Sequence, residues 1–163
     1  CGEEPRIGSE EAPLTREEAS RARLWAKLQF YRGKAAFHAG QRGDGEAGFR
    51  QATMHDPAFP EAYVGLGMAL YDLGQRRVIA TRPLLDSSKK EAKEKKKEYA
   101  EYRKHCGPRP NPDIESAFQE AIEGLTRVFN QHANEMDQAQ KQKADAEACS
   151  KKAIALRGST VRM

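Results

Sequence analysis

Gly33-Lys-Ala-Ala-Phe-His-Ala-Gly-Gln-Arg42 returns 34 residues later as Gly67-Met-Ala-Leu-Tyr-Asp-Leu-Gly-Gln-Arg76. Five of the ten positions are identical (Gly33/Gly67, Ala35/Ala69, Gly40/Gly74, Gln41/Gln75, Arg42/Arg76), and Phe37/Tyr71 keeps an aromatic. Each copy closes a run with the 3.6-residue period of an amphipathic helix. Leu24, Leu28, Tyr31 and Ala35 lead up to Gly40, and Tyr63, Leu66 and Leu70 lead up to Gly74. The first run starts at Thr15-Arg-Glu-Glu18, a capping box in which the hydroxyl serves the first orphan amides and the glutamate reaches back. A shorter helix is expected after Asp44, carrying Phe49 and Ala52 and stopping before Pro57, and Pro60 opens the next. Nothing in the chain competes as a strand. Ile and Val total 9 residues against 24 Ala, and Ala favours helix where β-branched residues favour sheet. The expected fold class is all-α.

The 34-residue period is the length of a tetratricopeptide unit. Small Gly33 and Gly67 at the helix contact, Phe49-x-x-Ala52 on the second helix and Asp56-Pro57 at the close of the unit make residues 24–76 resemble that family. The resemblance implies antiparallel helix pairs over 15–76, stacked as a fragment of a right-handed solenoid. It also implies that the inner face of each first helix binds a protein ligand. By register, that groove is Lys27, Phe30, Tyr31, Lys34, Phe37 and His38, then Glu61, Val64, Met68, Tyr71 and Asp72. Phe30, Phe37, Val64, Met68 and Tyr71 would form a solvent-facing apolar wall unless a partner, or the later helices of the chain, covers it.

Past Arg76 the repeat breaks, because Pro83 falls where a second helix should continue. Ser88 with Glu91 forms another capping box, and an inserted charged helix is expected over 87–106 with Lys90/Glu94, Glu91/Lys95 and Lys97/Glu101 four apart. Its apolar stripe is thin: Ala92, Tyr99, Tyr102, Cys106. Gly107-Pro-Arg-Pro-Asn-Pro112 is a stop and restart, with Asn111 as N-cap and Pro112 at the first helical position. The C-terminal helices are expected over 112–158, with one apolar face through Phe118, Ile122, Leu125, Phe129, Ala133 and Met136. Asp145-Ala146 and Lys151 to Leu156 look again like the second helix of a repeat. One domain over 14–158 and a tail of 159–163 follow.

Of 163 residues, 38% are hydrophobic and 32% charged, so the core is thin for a single domain. The net charge of +4 arises from interspersed signs, and aromatics make up 7%. That composition lacks the clustered basic face and stacking platform of a nucleic-acid binder. No apolar run approaches the roughly 18 residues of a membrane-spanning helix. Gly43-Asp-Gly-Glu-Ala-Gly48 spells G-x-G-x-x-G but follows a helix, whereas the dinucleotide motif needs a preceding strand. Its glycines are read as the turn between paired helices. Phosphate-loop, nucleophile-elbow and zincin motifs do not occur. A zinc site from His105, Cys106, His132 and Cys149 is not selected by spacing over a disulfide, and His38 and His55 read as surface or groove side chains rather than bases. No catalytic residue, metal or cofactor is expected, and the chain is read as a binder rather than an enzyme.

The leading Cys1-Gly2-Glu3-Glu4-Pro5 and the polar stretch to Pro13 resemble the mature end of a bacterial lipoprotein. That resemblance implies a lipid on Cys1 and a flexible tether over 1–13. It places the chain on the periplasmic side of the cell envelope, with the outer membrane weakly favoured because Gly2 lacks the retention signal of an aspartate. Two acyl chains or more anchor durably where one does not. In an oxidising compartment Cys106 and Cys149 would pair. One straight helix over 112–149 would hold them roughly 55 Å apart, so the bond requires a helical hairpin, reversing near Asn130 or nearer Lys141. The leading reading is a lipid-anchored adaptor or accessory subunit of an envelope assembly, a type that includes pilotins and outer-membrane assembly factors. The alternatives are a periplasmic or cytosolic chaperone-like module that captures peptides, and a subunit of an envelope enzyme complex.

Overall fold

The computed structural model describes residues 15–160, so Cys1, the tether expected over 1–13 and the last three residues of the tail lie outside the described residues. Among the described residues four helices run in sequence: α1 (Arg16–His38), α2 (Arg42–His55), α3 (Pro60–His105) and α4 (Pro112–Thr160). No strand occurs among the described residues, and the all-α class holds.

The capping box forms as expected: the Glu18 amide donates to the Thr15 hydroxyl at 3.3 Å, and the Thr15 amide donates to the Glu18 carboxylate at 2.8 Å. Gly40, with φ 84°, turns the chain after α1, a conformation that costs glycine nothing. α2 then begins at Arg42, ahead of the expected start after Asp44. Gly43, Gly45 and Gly48 therefore lie within a helix and not in a turn. Two of them serve close approach. A Cβ on Gly48 would sit 2.5 Å from the Gly33 Cα, and one on Gly45 would sit 2.9 Å from the Phe37 Cβ. The backbones of α1 and α2 meet with no side chain between them.

α3 corrects three expectations. It runs on past Gly74, through Pro83 and through Ser88 to His105 as one helix. Pro83 removes one backbone hydrogen bond and crowds the preceding turn, at a cost of about 3 kcal/mol, which the long contact with α4 offsets. Gly74 is buried against α4, where a Cβ would meet the Ala139 carbonyl at 3.0 Å. Ser88 caps nothing: it is buried mid-helix, its hydroxyl donating to the Leu85 carbonyl at 3.0 Å, while Ser87 donates to Glu91 at 2.9 Å. Of the three expected i,i+4 pairs, Lys90–Glu94 is present at 3.9 Å, but Lys95 turns to Glu98 and Glu101 to Lys104.

Asn111 and Pro112 start α4 as read from the sequence, with the Asp113 amide donating to Asn111 Oδ1 at 2.9 Å. From there α4 is unbroken to Thr160, taking in Ser159 and Thr160 of the expected tail. The helical hairpin within 112–149 does not form. Cys106 and Cys149 are both free thiols, one at the far end of α3 and the other near the far end of α4, so the expected bond is not made.

The reason lies in a sustained 3.5-residue seam. The less exposed positions of α4 fall alternately three and four apart through Phe118, Ile122, Leu125, Phe129, His132, Met136 and Ala139. On α3 they do the same through Val78, Thr81, Leu85, Ser88, Ala92, Lys95, Tyr99 and Tyr102. That spacing is the pattern of a coiled coil. α4 returns antiparallel along α3, with Phe118 beside Tyr99 and Tyr102, Ala139 at Gly74 and Ala146 at Gly67. The distal parts, 77–105 and 112–138, form an arm about 40 Å long at 1.5 Å per residue. At its root, Phe49 from α2 enters between the helices to join Leu66, Ala69, Leu70 and Ala146 in the core.

Candidate functional site

An open cleft of about 210 Å³ lies between the first turns of α3 and the end of α1. Seven of the eleven residues assigned to the groove line it: Phe30, Lys34, Phe37 and His38 from α1, and Glu61, Val64 and Met68 from α3. The 34-residue offset accounts for the pairing, since Phe30 and Val64 are equivalent positions, as are Lys34 and Met68. Phe49 forms the floor. Its ring lies 5.6 Å from that of Phe30 and 6.3 Å from that of Phe37, both tilted, an arrangement aromatic quadrupoles favour over stacking face to face. Phe59 extends the cluster at 5.2 Å from Phe30.

The other four assigned residues lie outside the cleft. Lys27 is exposed on the α1 surface. Tyr31 is turned away with its ring edge on Phe30 at 5.4 Å. Tyr71 stands beside Lys143, whose ammonium lies 5.5 Å from the ring centre. Asp72 pairs with both repeated arginines, 3.1 Å from Arg42 Nε and 2.8 Å from Arg76 Nε. Arg42 also caps the Phe37 ring at 4.1 Å and donates to the Phe37 carbonyl. The contact of its Nε with Asp72 is one of charge, without the alignment of a hydrogen bond. Asp72 thus ties the start of α2 to α3.

Three lining residues were not assigned from the sequence: Phe49, Gly65 and Arg157. Gly65 keeps the cleft wall open to Phe49, since a Cβ there would lie 2.6 Å from its ring. Arg157 arrives from the end of α4, on the stretch whose repeat-like register was visible but whose position in space was not. The lining joins an apolar floor to the cations of Lys34 and Arg157 and the single carboxylate of Glu61. It suits an apolar side chain flanked by a carboxylate.

The candidate zinc residues are not brought together. His105 and Cys106 sit at the tip of the arm, His132 along it and Cys149 at the root, and no group of three or more potential ligands gathers among the described residues. Burial pushes the Cys149 thiol up, opposed by Arg50 and assisted by Asp145. The nearby Tyr63 hydroxyl is raised too, by burial first and then by Cys149 and Asp56. No described helix is long and apolar enough to cross a membrane. No protein-family model, curated protein or solved structure matches the chain.

Proposed function

We propose that this chain is an adaptor or accessory subunit of an envelope assembly and binds a segment of a protein partner in the cleft between α1 and α3. The observation that carries the reading is that the cleft is lined by equivalent positions of two internally repeated helices, with an apolar floor and a mostly cationic margin. The same repeat supports a tetratricopeptide-like architecture in which the second unit is split. Its first helix is the start of α3 and its second is the end of α4, and the arm is inserted between them. Gly33 against Gly48 and Phe49 in one pair, and Gly67 against Ala146 and Cys149 in the other, are the contacts that favour this reading.

Recovery of the native complex tests it. Met68 is 58% exposed, so Met68→Glu changes the cleft without disturbing the core. Loss of a stoichiometric partner from the variant, with helix content unchanged, is the expected result. Full recovery would move the interface elsewhere, and weak capture of isolated peptides without a stable complex would favour the chaperone-like reading. The intact mass of protein extracted from native membranes decides whether Cys1 carries lipid.

A further inference from the structure

The 34-residue repeat also relates a covered face to an uncovered one. Leu28, Tyr31 and Ala35 of α1 correspond to Ala62, Gly65 and Ala69 of α3. On α3 that face is occupied by α2: Ala62 and Ala69 are 0% exposed, and Gly65 lies against the Phe49 ring. On α1 nothing among the described residues occupies it. Leu24, Leu28 and Tyr31 are 66%, 54% and 63% exposed. The face is continuous with an outer cleft of about 610 Å³ between α1 and α2, lined by Ala35, Ala36, Ala39, Ala47 and Gly48 among others. Its counterpart between α3 and α4 is where Phe49 inserts to reach Leu66, Leu70 and Ala146. Where α3 offers Leu66 and Leu70, α1 has Arg32 and Ala36, which leaves room for a bulky apolar side chain and puts a cation beside it.

The charge around the face selects the occupant. Outside the inner cleft α1 carries Arg16, Arg21, Arg23, Lys27 and Arg32 against Glu17 and Glu18, Glu18 is engaged in the cap, and the lining of the outer cleft adds Asp44 from α2. None of these five cations is in an ion pair among the described residues. We propose that the outer face of α1 seats an amphipathic helix of a partner protein, placed as α2 is placed on α3, with a large apolar residue in the outer cleft and carboxylates toward Arg32. A second copy of this chain is the poorer match, since the end of α4 is itself basic, with five Lys or Arg against two acids over 139–160. This seat is distinct from the inner cleft and stands independently of it.

Trp25 supplies the readout. It is the single tryptophan of the chain, 48% exposed at the margin of the face and edge-on to His55 at 6.2 Å. The full chain is titrated with two synthetic helical peptides that share one Phe/Leu stripe, the first flanked by Glu and the second by Lys. The Glu peptide is expected to shift Trp25 emission to the blue saturably and the Lys peptide to leave it unchanged. Leu28→Glu and, separately, Arg32→Gln should weaken the response about tenfold or more, while Met68→Glu in the inner cleft leaves it intact. Because Leu28 and Arg32 are exposed, unchanged helix content will show that both variants fold. Equal responses to both peptides, no response to either, or insensitivity to both variants would overturn the proposal. A blue shift with phosphatidylglycerol vesicles and none with the Glu peptide would assign the face to a membrane surface instead. Dimerisation lost in Leu28→Glu, without peptide binding, would assign it to a second copy. Peptide binding that appears only after removal of residues 1–14 would assign it to the chain's own leading segment.

Discussion

Adding one carbon to Gly48 would place it 2.5 Å from the Gly33 Cα and 2.8 Å from the Gly33 nitrogen, both backbone atoms that cannot swing aside. Gly48→Ala is therefore expected to destabilise by about 1–3 kcal/mol or more through overpacking. Gly43 lies on the same helix with nothing within 4 Å of an added Cβ, so Gly43→Ala should stabilise by about 0.4–1 kcal/mol by restricting the unfolded chain. Chemical denaturation of the two variants checks both signs. At Glu18 the backbone amide of Thr15, and then its hydroxyl, hold the carboxyl below the usual carboxylate range. A lowered folded value means that the cap's contribution is present above the unfolded range and is lost as the pH falls through the folded one. Protection of the amides of residues 18–20, relative to their intrinsic exchange, should fall below about pH 4, and Glu18→Gln should remove that loss. The raised Cys149 thiol makes a third expectation, since the thiolate is the reactive form. Alkylation of Cys149 should be slow at neutral pH and speed up as the pH rises, and non-reducing peptide mapping should find both Cys106 and Cys149 unpaired.

Elements whose signals are local were legible in the sequence, and those held by distant partners were not. Thr15 with Glu18, and Asn111 before Pro112, act within one turn, so both helix starts could be read directly. Pro83 and Ser88 carry equally plain local signals, a break and a cap, yet both lie inside α3 because the residues that hold them straight belong to α4. Similarly, the apolar face through Phe129, Ala133 and Met136 argued for a continuous α4, while the expectation of a Cys106–Cys149 bond argued for a reversal. The continuous helix prevails because each added turn extends the seam. The tip of the arm shows what fastens that seam. Phe118 lies 5.4 Å from Tyr99 and 5.6 Å from Tyr102, Arg103 pairs with Glu115, and the Asn111 amide donates to the Tyr102 hydroxyl at 2.9 Å. Phe118→Ala should cost about 1–3 kcal/mol, below the range for a fully buried Phe because this ring is only partly buried. The loss should fall on the arm: hydrogen exchange is expected to rise over 95–120 and to stay unchanged at α1 and α2.

At the scale of the whole molecule, the repeat was visible because its two copies are adjacent in the chain, and most of the inner cleft followed from it. Arg157 was hidden for the same physical reason as the arm: the end of α4 reaches the root only after a detour of some sixty residues. That detour governs how the chain can assemble. Gly67 and Ala146 are in contact although 79 positions separate them, and closing such a loop in one step carries a large entropic cost. The turn at 106–111 is short, however, and Gly107, with φ 71°, already suits it. Zippering from this tip toward the root closes only small loops in succession, so the nucleus should lie at the end of the molecule farthest from both clefts. A substitution that strains the tip, Gly107→Ala, is expected to slow refolding with little effect on unfolding. Ala153→Gly at the root should mainly hasten unfolding, because its contacts form after the barrier is crossed. Stopped-flow measurements on the two variants separate these limbs. On a ribosome the order has a further effect: α1, α2 and the first half of α3 emerge before the part of α4 that completes their core, and must wait, with Leu66 and Leu70 only partly covered, until Ala146 and Cys149 arrive.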